Sequence, residues 1–150
     1  MQIGNILTSD RTKAQIHENS KKRVIEKLAS IVASSSGDID ADDLFHHLIC
    51  REKLGTTGIG GGIAIPHCRF ATNGKTYGAC MTLERPVEFN SIDDKPVDIV
   101  FAIIVPENAE KSHLETLACL AEFLQQPAYV NKLRSATNDI ELFNAATISH

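Results

Sequence analysis

The chain has 150 residues, 43% of them hydrophobic and 23% charged, which is one domain's worth and enough to bury about 70% of the unfolded surface. Its 15 basic and 19 acidic residues, net −4, are mixed along the sequence, so no basic face is large enough to track a phosphate backbone and nucleic acid is excluded as a ligand class. No apolar run approaches the roughly 18 residues of a membrane span, no cationic leader precedes a cleavage site, and Cys50, Cys68, Cys80 and Cys119 form no Cys-x-x-Cys pair. These features predict a cytoplasmic protein with reduced thiols and no membrane insertion.

In chain order, Ile3, Ile6, Leu7 and Ile16 surround a polar Thr8-Ser9-Asp10 turn, which predicts a short helical turn and then an extended segment. Ser20 is placed to cap a helix whose buried face is Val24, Ile25, Leu28, Ile31 and Val32, ending before Ser34-Ser35-Ser36-Gly37. Its Lys21-Lys22-Arg23 cluster reads either as a solvated helix face or as a docking point for an acidic partner. A second helix is expected from Asp40, with Asp43 in its first turn, Leu44, Phe45, Leu48 and Ile49 turned inward, and Gly55 as its stop.

The segment from Arg51 to Cys68 holds five of the nine glycines, a run suited to a loop bent around something small and anionic. It is not a Walker loop, because Gly61 stands where the lysine after Gly55 and Gly60 is required. Nor is it a dinucleotide fingerprint, because Ile63 and Ile65 occupy the third glycine's place. Ile63-Ala64-Ile65 fits a short buried strand, and Pro66 removes a backbone donor and halts pairing, placing His67 at the strand's exit. A neutral imidazole there is a nucleophile able to take up a phosphoryl group; a structural histidine after a strand has the same local appearance. Arg51, in the last turn of the second helix, can hold phosphoryl oxygens in its planar fork or simply complement the helix dipole. Thr57 offers a hydroxyl to a phosphoryl oxygen and equally suits an ordinary turn. Glu52 reads as solvated. A zinc tetrahedron from His46, Cys50, His67 and Cys68 has the right ligand types, but adjacent residues on a strand point to opposite sides and His47 is a rival donor. The same geometry opposes a Cys68–His67 dyad.

Further on, Thr76 to Leu83 alternates as a strand with one polar-leaning face, followed by a turn at Glu84-Arg85-Pro86. Val97 to Val105 is almost continuously apolar between Pro96 and Pro106, the pattern of a central strand covered on both faces. Ser112 and Glu115 have capping-box spacing, with Leu114, Leu117, Ala118, Ala121 and Leu124 as the buried stripe. His113 then lies in an anion-favouring first turn, where it can hydrogen-bond a phosphoryl group or stand as a surface histidine beside a cap. Pro127 to Arg134, carrying Val130 and Leu133, and a segment capped by Asn138 or Asp139 with Ile140, Leu142 and Phe143 complete the helices. The expected fold is a single α/β domain over residues 1–150, a mixed sheet with helices on both faces.

The run Arg51-Glu52-x-Leu54-Gly55-x-Thr57-Gly58-x-Gly60-x-Gly62-x-Ala64-Ile65-Pro66-His67 resembles the active-site signature of EIIA domains of the mannitol/fructose class of the bacterial phosphotransferase system. The likeness extends to the Ser-Lys-Lys-Arg helix opening, the Pro-Val-Asp strand near residue 96 and His113-Leu114, and is greatest to the stand-alone nitrogen-regulatory branch. The resemblance implies that a phosphohistidine carrier protein donates to His67 without a metal or cofactor, with Arg51 and His113 balancing oxygen charge. It further implies a regulator of partner proteins, such as potassium transport or sensor kinase proteins. The alternatives are a sugar-transport EIIA that passes phosphate to an EIIB domain, and a metal-binding or purely structural interaction module.

Overall fold

The computed structural model describes residues 2–148. A 3-10 turn at Ile3–Asn5 leads into β1 (Leu7–Ile16), followed by α1 (Lys21–Ser36) and α2 (Ala41–Leu54). The glycine-rich segment contributes β2 (Gly58–Gly60), β3 (Ile63–Ala64) and β4 (His67–Phe70), and two long strands follow, β5 (Tyr77–Val87) and β6 (Val97–Pro106). Three helices end the chain: α3 (Lys111–Phe123), α4 (Pro127–Ser135) and α5 (Asp139–Thr147).

The strands form one mixed sheet in the order β1-β5-β6-β3-β2, with β4 also paired to β6. β6 is its hub, antiparallel to β5 and parallel to β3 and β4. From Ile99 to Val105 its residues are apolar on both sides because both sides are covered. Val100, Ala102 and Ile104 join the core under α1 and α2. Ile99, Phe101, Ile103 and Val105 join the core under α3, α4 and α5. The α/β fold with helices on both faces is therefore as the sequence predicts.

Local details differ. Thr8-Ser9-Asp10 is part of β1 and not a turn; the β1–β5 register shifts between Leu7 and Thr12, so the polar residues sit on an irregular stretch of strand. α1 continues through Ser34–Ser36 and stops at Gly37, whose φ of 76° supplies the left-handed cap. β5 runs through Glu84-Arg85-Pro86 as an irregularity, with its register shifting between Thr82 and Val87. The chain reverses later, where Asn90 and Asp94 take left-handed conformations. β5 also has no polar face: Cys80 and Thr82 are buried, because β1 and β6 flank it and helices cover both sides.

α3 is capped at Glu110, two residues earlier than the Ser112–Glu115 spacing suggests. Its buried stripe is correspondingly different, with Leu120 and Leu124 fully buried, Leu117 and Ala121 half-buried, and Leu114 and Ala118 exposed. Asn138 caps α5, its side chain accepting from the Glu141 N–H, and Ile140 faces solvent instead of the core.

Candidate active site

β3 and β4 are two parts of one course along β6. Ala64 pairs with Val100 and His67 with Ile103, the same offset on either side of Pro66. Proline lacks the N–H that would continue the ladder, yet its carbonyl still accepts from the Ile103 N–H at 3.0 Å. Pairing thus pauses at Pro66 without ending, and His67 opens a strand where the sequence suggested it left one. Strand alternation puts Cys68 into the α1–α2 core, where burial pushes its thiol up to about 12. His67 is thereby directed toward the opposite side. The dyad and the zinc tetrahedron both fail on this geometry. Among the described residues no group of three or more His, Cys, Asp or Glu side chains is assembled to hold a metal.

The glycine run is a turn and not an anion cradle. Gly60, Gly61 and Gly62 have φ of 97°, 67° and 81°, which lets the chain fold back from β2 into the antiparallel β3. The anion it binds belongs to the protein: the Gly61 N–H donates to Asp93 Oδ2 at 2.9 Å, holding that carboxyl below its ordinary value. The Arg134 guanidinium, paired with Asp98 at 2.9 Å, donates to the Gly61 carbonyl from the other side. The turn that precedes His67 is thus held from both flanks.

His67 is half-buried, and its Nδ1 lies 2.8 Å from the Ile65 carbonyl oxygen. A carbonyl only accepts, so Nδ1 carries the hydrogen and Nε2 keeps the lone pair. Burial depresses the imidazole's pKa most; the Ile65 carbonyl opposes this, the Arg51 charge adds to it and the Glu52 charge opposes it, leaving the value below that of a free histidine. The ring is neutral at pH 7.

Arg51 lies in the last turn of α2, its Nη1 donating to the Gly55 carbonyl at 3.0 Å, which satisfies a helix-terminal acceptor and leaves the rest of the fork unbonded among the described residues. Glu52 is the residue that sequence reasoning misjudged. It is 7% exposed and its carboxylate accepts from the Thr57 hydroxyl at 2.6 Å, the Thr57 N–H at 2.8 Å and the Lys21 ammonium at 2.7 Å. Lys21 is accordingly drawn out of the solvated cluster to tie α1 to the loop. Thr57, also buried, has given its hydroxyl hydrogen to Glu52, so a donated bond to a phosphoryl oxygen would require that bond to be exchanged.

His113 is half-buried at the third position of α3, with Nδ1 accepting from the Glu110 N–H at 3.1 Å. Its hydrogen must then be on Nε2, the reverse of the His67 tautomer. Arg69, two residues beyond His67 and so on the same side of β4, donates to the carbonyls of Glu107 and Ala109 at 3.4 and 3.2 Å. It fastens the His67 strand to the loop that enters the His113 helix. Period-2 spacing from His67 was the signal that would have found it. Arg51, Glu52 and His67 thus share one electrostatic neighbourhood, Thr57 joins it through Glu52, and His113 is presented by a helix anchored to β4.

Residues 5–147 match the family model described as the phosphoenolpyruvate-dependent sugar phosphotransferase system, EIIA 2. The chain belongs to this family of EIIA domains. Within it, the chain is 42% identical over 136 residues to a nitrogen regulatory protein of Pseudomonas aeruginosa, covering 91% of this chain and 88% of that one. The crystal structure of the nitrogen regulatory protein IIA-Ntr from Neisseria meningitidis superposes with a TM-score of 0.85 at 36% identity, covering 97% and 99% of the two chains. A fructose-specific EIIABC component of Bacillus subtilis is 30% identical over 139 residues, 93% of this chain but 22% of that protein.

Proposed function

We propose that this chain is a phosphoryl-accepting regulatory EIIA of the nitrogen type, with His67 Nε2 as the acceptor. The observation that carries the reading is the bond from His67 Nδ1 to the Ile65 carbonyl, which leaves Nε2 as the nucleophilic lone pair on a ring that is already neutral. The donor is a histidine phosphocarrier protein. In the transfer its N–P bond breaks as the Nε2–P bond forms; the electron pair stays on the donor imidazole, and the Nδ1–H of His67 remains on Ile65. No proton need leave His67 for attack.

Charge stabilisation then carries the catalysis, since phosphoryl transfer asks mainly for positioning and electrostatics. The unbonded part of the Arg51 fork supplies fixed positive charge, and the Nε2–H of His113 supplies a donor for an equatorial oxygen. Lys21, Glu52 and Thr57 hold the loop and set the field at His67. The added phosphoryl charge distinguishes two states for partner proteins, among which the resemblance points to potassium transport or sensor kinase proteins. No helix among the described residues is long and apolar enough to cross a membrane. Likeness to nitrogen regulatory proteins at 42% and 36% identity favours this output over sugar transport, to which the 30% fructose-specific relative points.

The test is phosphoryl transfer from a phosphorylated carrier, followed by intact mass and by nitrogen-correlated NMR of the histidine rings. The expected result is labelling at Nε2 of wild type, none of His67→Ala, and rates about 10²-fold lower for Arg51→Gln and His113→Ala. Labelling of His67→Ala, or phosphate on Nδ1 of wild type, would overturn the assignment. Phosphate passing from this chain through an EIIB domain to an imported sugar would instead favour the transport reading.

A further inference from the structure

A cavity of about 830 Å³ lies where the first turn of α1 meets the last turns of α2. Its volume falls within the range of small-molecule sites. The apolar part of its wall comes from Phe45 and Ile49 of α2, both half-buried and packed on the core. Its charged part is formed by Lys21 and Lys22 from the first turn of α1 and by Lys53 from the last turn of α2.

The charge of this site is opposite to that of the chain, whose net charge is −4. The one carboxylate in the wall is Glu52, and it is already neutralised by the Lys21 ammonium at 2.7 Å and engaged by both donors of Thr57. Lys22 and Lys53 have no ion pair among the described residues, so their charge is available to an occupant. Lysine stems extend apolar surface while the ammonium groups stay at the water boundary. The combination is an apolar wall rimmed by two cations that have no ion pair among the described residues.

We propose that this cavity is a binding site for a small organic anion with an apolar body, the body lying against Phe45 and Ile49 and the anionic group between Lys22 and Lys53. Lys22 and Lys53 have no part in the phosphoryl-transfer reading, although the wall they share includes Glu52, whose charge acts on His67.

The test uses the unphosphorylated full chain and two dyes with a shared aromatic framework, anionic 8-anilinonaphthalene-1-sulfonate and uncharged N-phenyl-1-naphthylamine. Fluorescence titration is expected to give one site for the anion, bound at least about 10-fold more tightly than the neutral dye, with affinity falling as salt screens the lysines. Lys22→Ala combined with Lys53→Ala should weaken the anion about 5- to 10-fold and leave the neutral dye unchanged, whereas Ile49→Asp should weaken both. Backbone amide shifts should cluster in the segments that line the cavity, residues 21–22 and 45–56 and Asn90. Equal binding of the two dyes, indifference to the lysine variants, or shifts confined to other parts of the chain would mean an adventitious additive only and overturn the proposal. It is equally overturned if neither dye binds while an acidic peptide shifts these amides, since the occupant is then a partner protein. His67→Ala should bind the dye as wild type does, so this result and that of the phosphoryl-transfer test are separable.

Discussion

Replacing Glu52 tests whether the loop before His67 is held by a buried ion pair or only by its turn. The carboxylate is 7% exposed and Thr57 is 4% exposed, so Glu52→Ala leaves the Thr57 N–H without its acceptor in a place water does not reach. A stranded buried donor costs about 1–3 kcal/mol, and losing one partner of a largely buried pair brings the expected total to about 3–5 kcal/mol. Lys21, whose side chain is 23% exposed, recovers part of its solvation, which keeps the figure at the lower end. Glu52→Gln retains one carbonyl oxygen but turns an amide NH₂ toward a second donor, for about 2 kcal/mol. Urea denaturation with slopes compared across variants measures these losses. NMR titration of His67 supplies a second readout: Glu52 raises the His67 pKa, so Glu52→Gln should lower it further. A loss below about 1 kcal/mol for Glu52→Ala, together with an unmoved His67 titration, would show that the carboxylate is solvated and that Lys21 does not tie α1 to the loop.

Other outcomes follow from the same structure. Because the native His67 pKa is depressed by burial, the unfolded chain binds more protons just below the ordinary histidine value of about 6.5. Stability associated with this residue is therefore full above that pH and is lost as pH falls toward the native pKa; denaturation at pH 7.5 and 5.5 should show a larger loss for wild type than for His67→Gln. Gly62→Ala should cost about 2–3 kcal/mol, since φ is 81° and the new Cβ would lie 2.6 Å from Arg134 Nη2 and 2.8 Å from Asp98 Oδ1. Gly61→Ala, with φ of 67° and nothing within 4 Å of its Cβ position, should cost only about 1 kcal/mol. Thermal or urea unfolding of the two variants compares clash with backbone strain alone. Ser91 has a buried hydroxyl with no hydrogen-bond partner among the described residues, so Ser91→Ala should be neutral or stabilising by up to about 1 kcal/mol in the same assay.

The sequence by itself determined what depends on local pattern. Val97 to Val105, bracketed by prolines, could be read as a strand covered on both faces, Ser20 and Asp40 could be recognised as caps, and Gly55 as the end of α2. The apolar run ahead of Pro66 placed His67 beside a buried strand. These features were legible because periodicity, capping and backbone restriction act over a few residues.

Tertiary structure decided the rest, because the same local chemistry has different meanings in different surroundings. Thr82 and Cys80 look like a polar face until β1 and β6 enclose β5. Glu52 looks solvated until Lys21, 31 positions earlier, and Thr57 close around its carboxylate. Pro66 looks like the end of a strand until the Ile103 N–H of β6 donates to its carbonyl and pairing resumes at His67. The two histidine tautomers are likewise invisible in the sequence, since the Ile65 carbonyl and the Glu110 N–H select them only after the backbone is in place. A hydrogen bond needs both partners at a fixed distance, and only the folded chain brings them there.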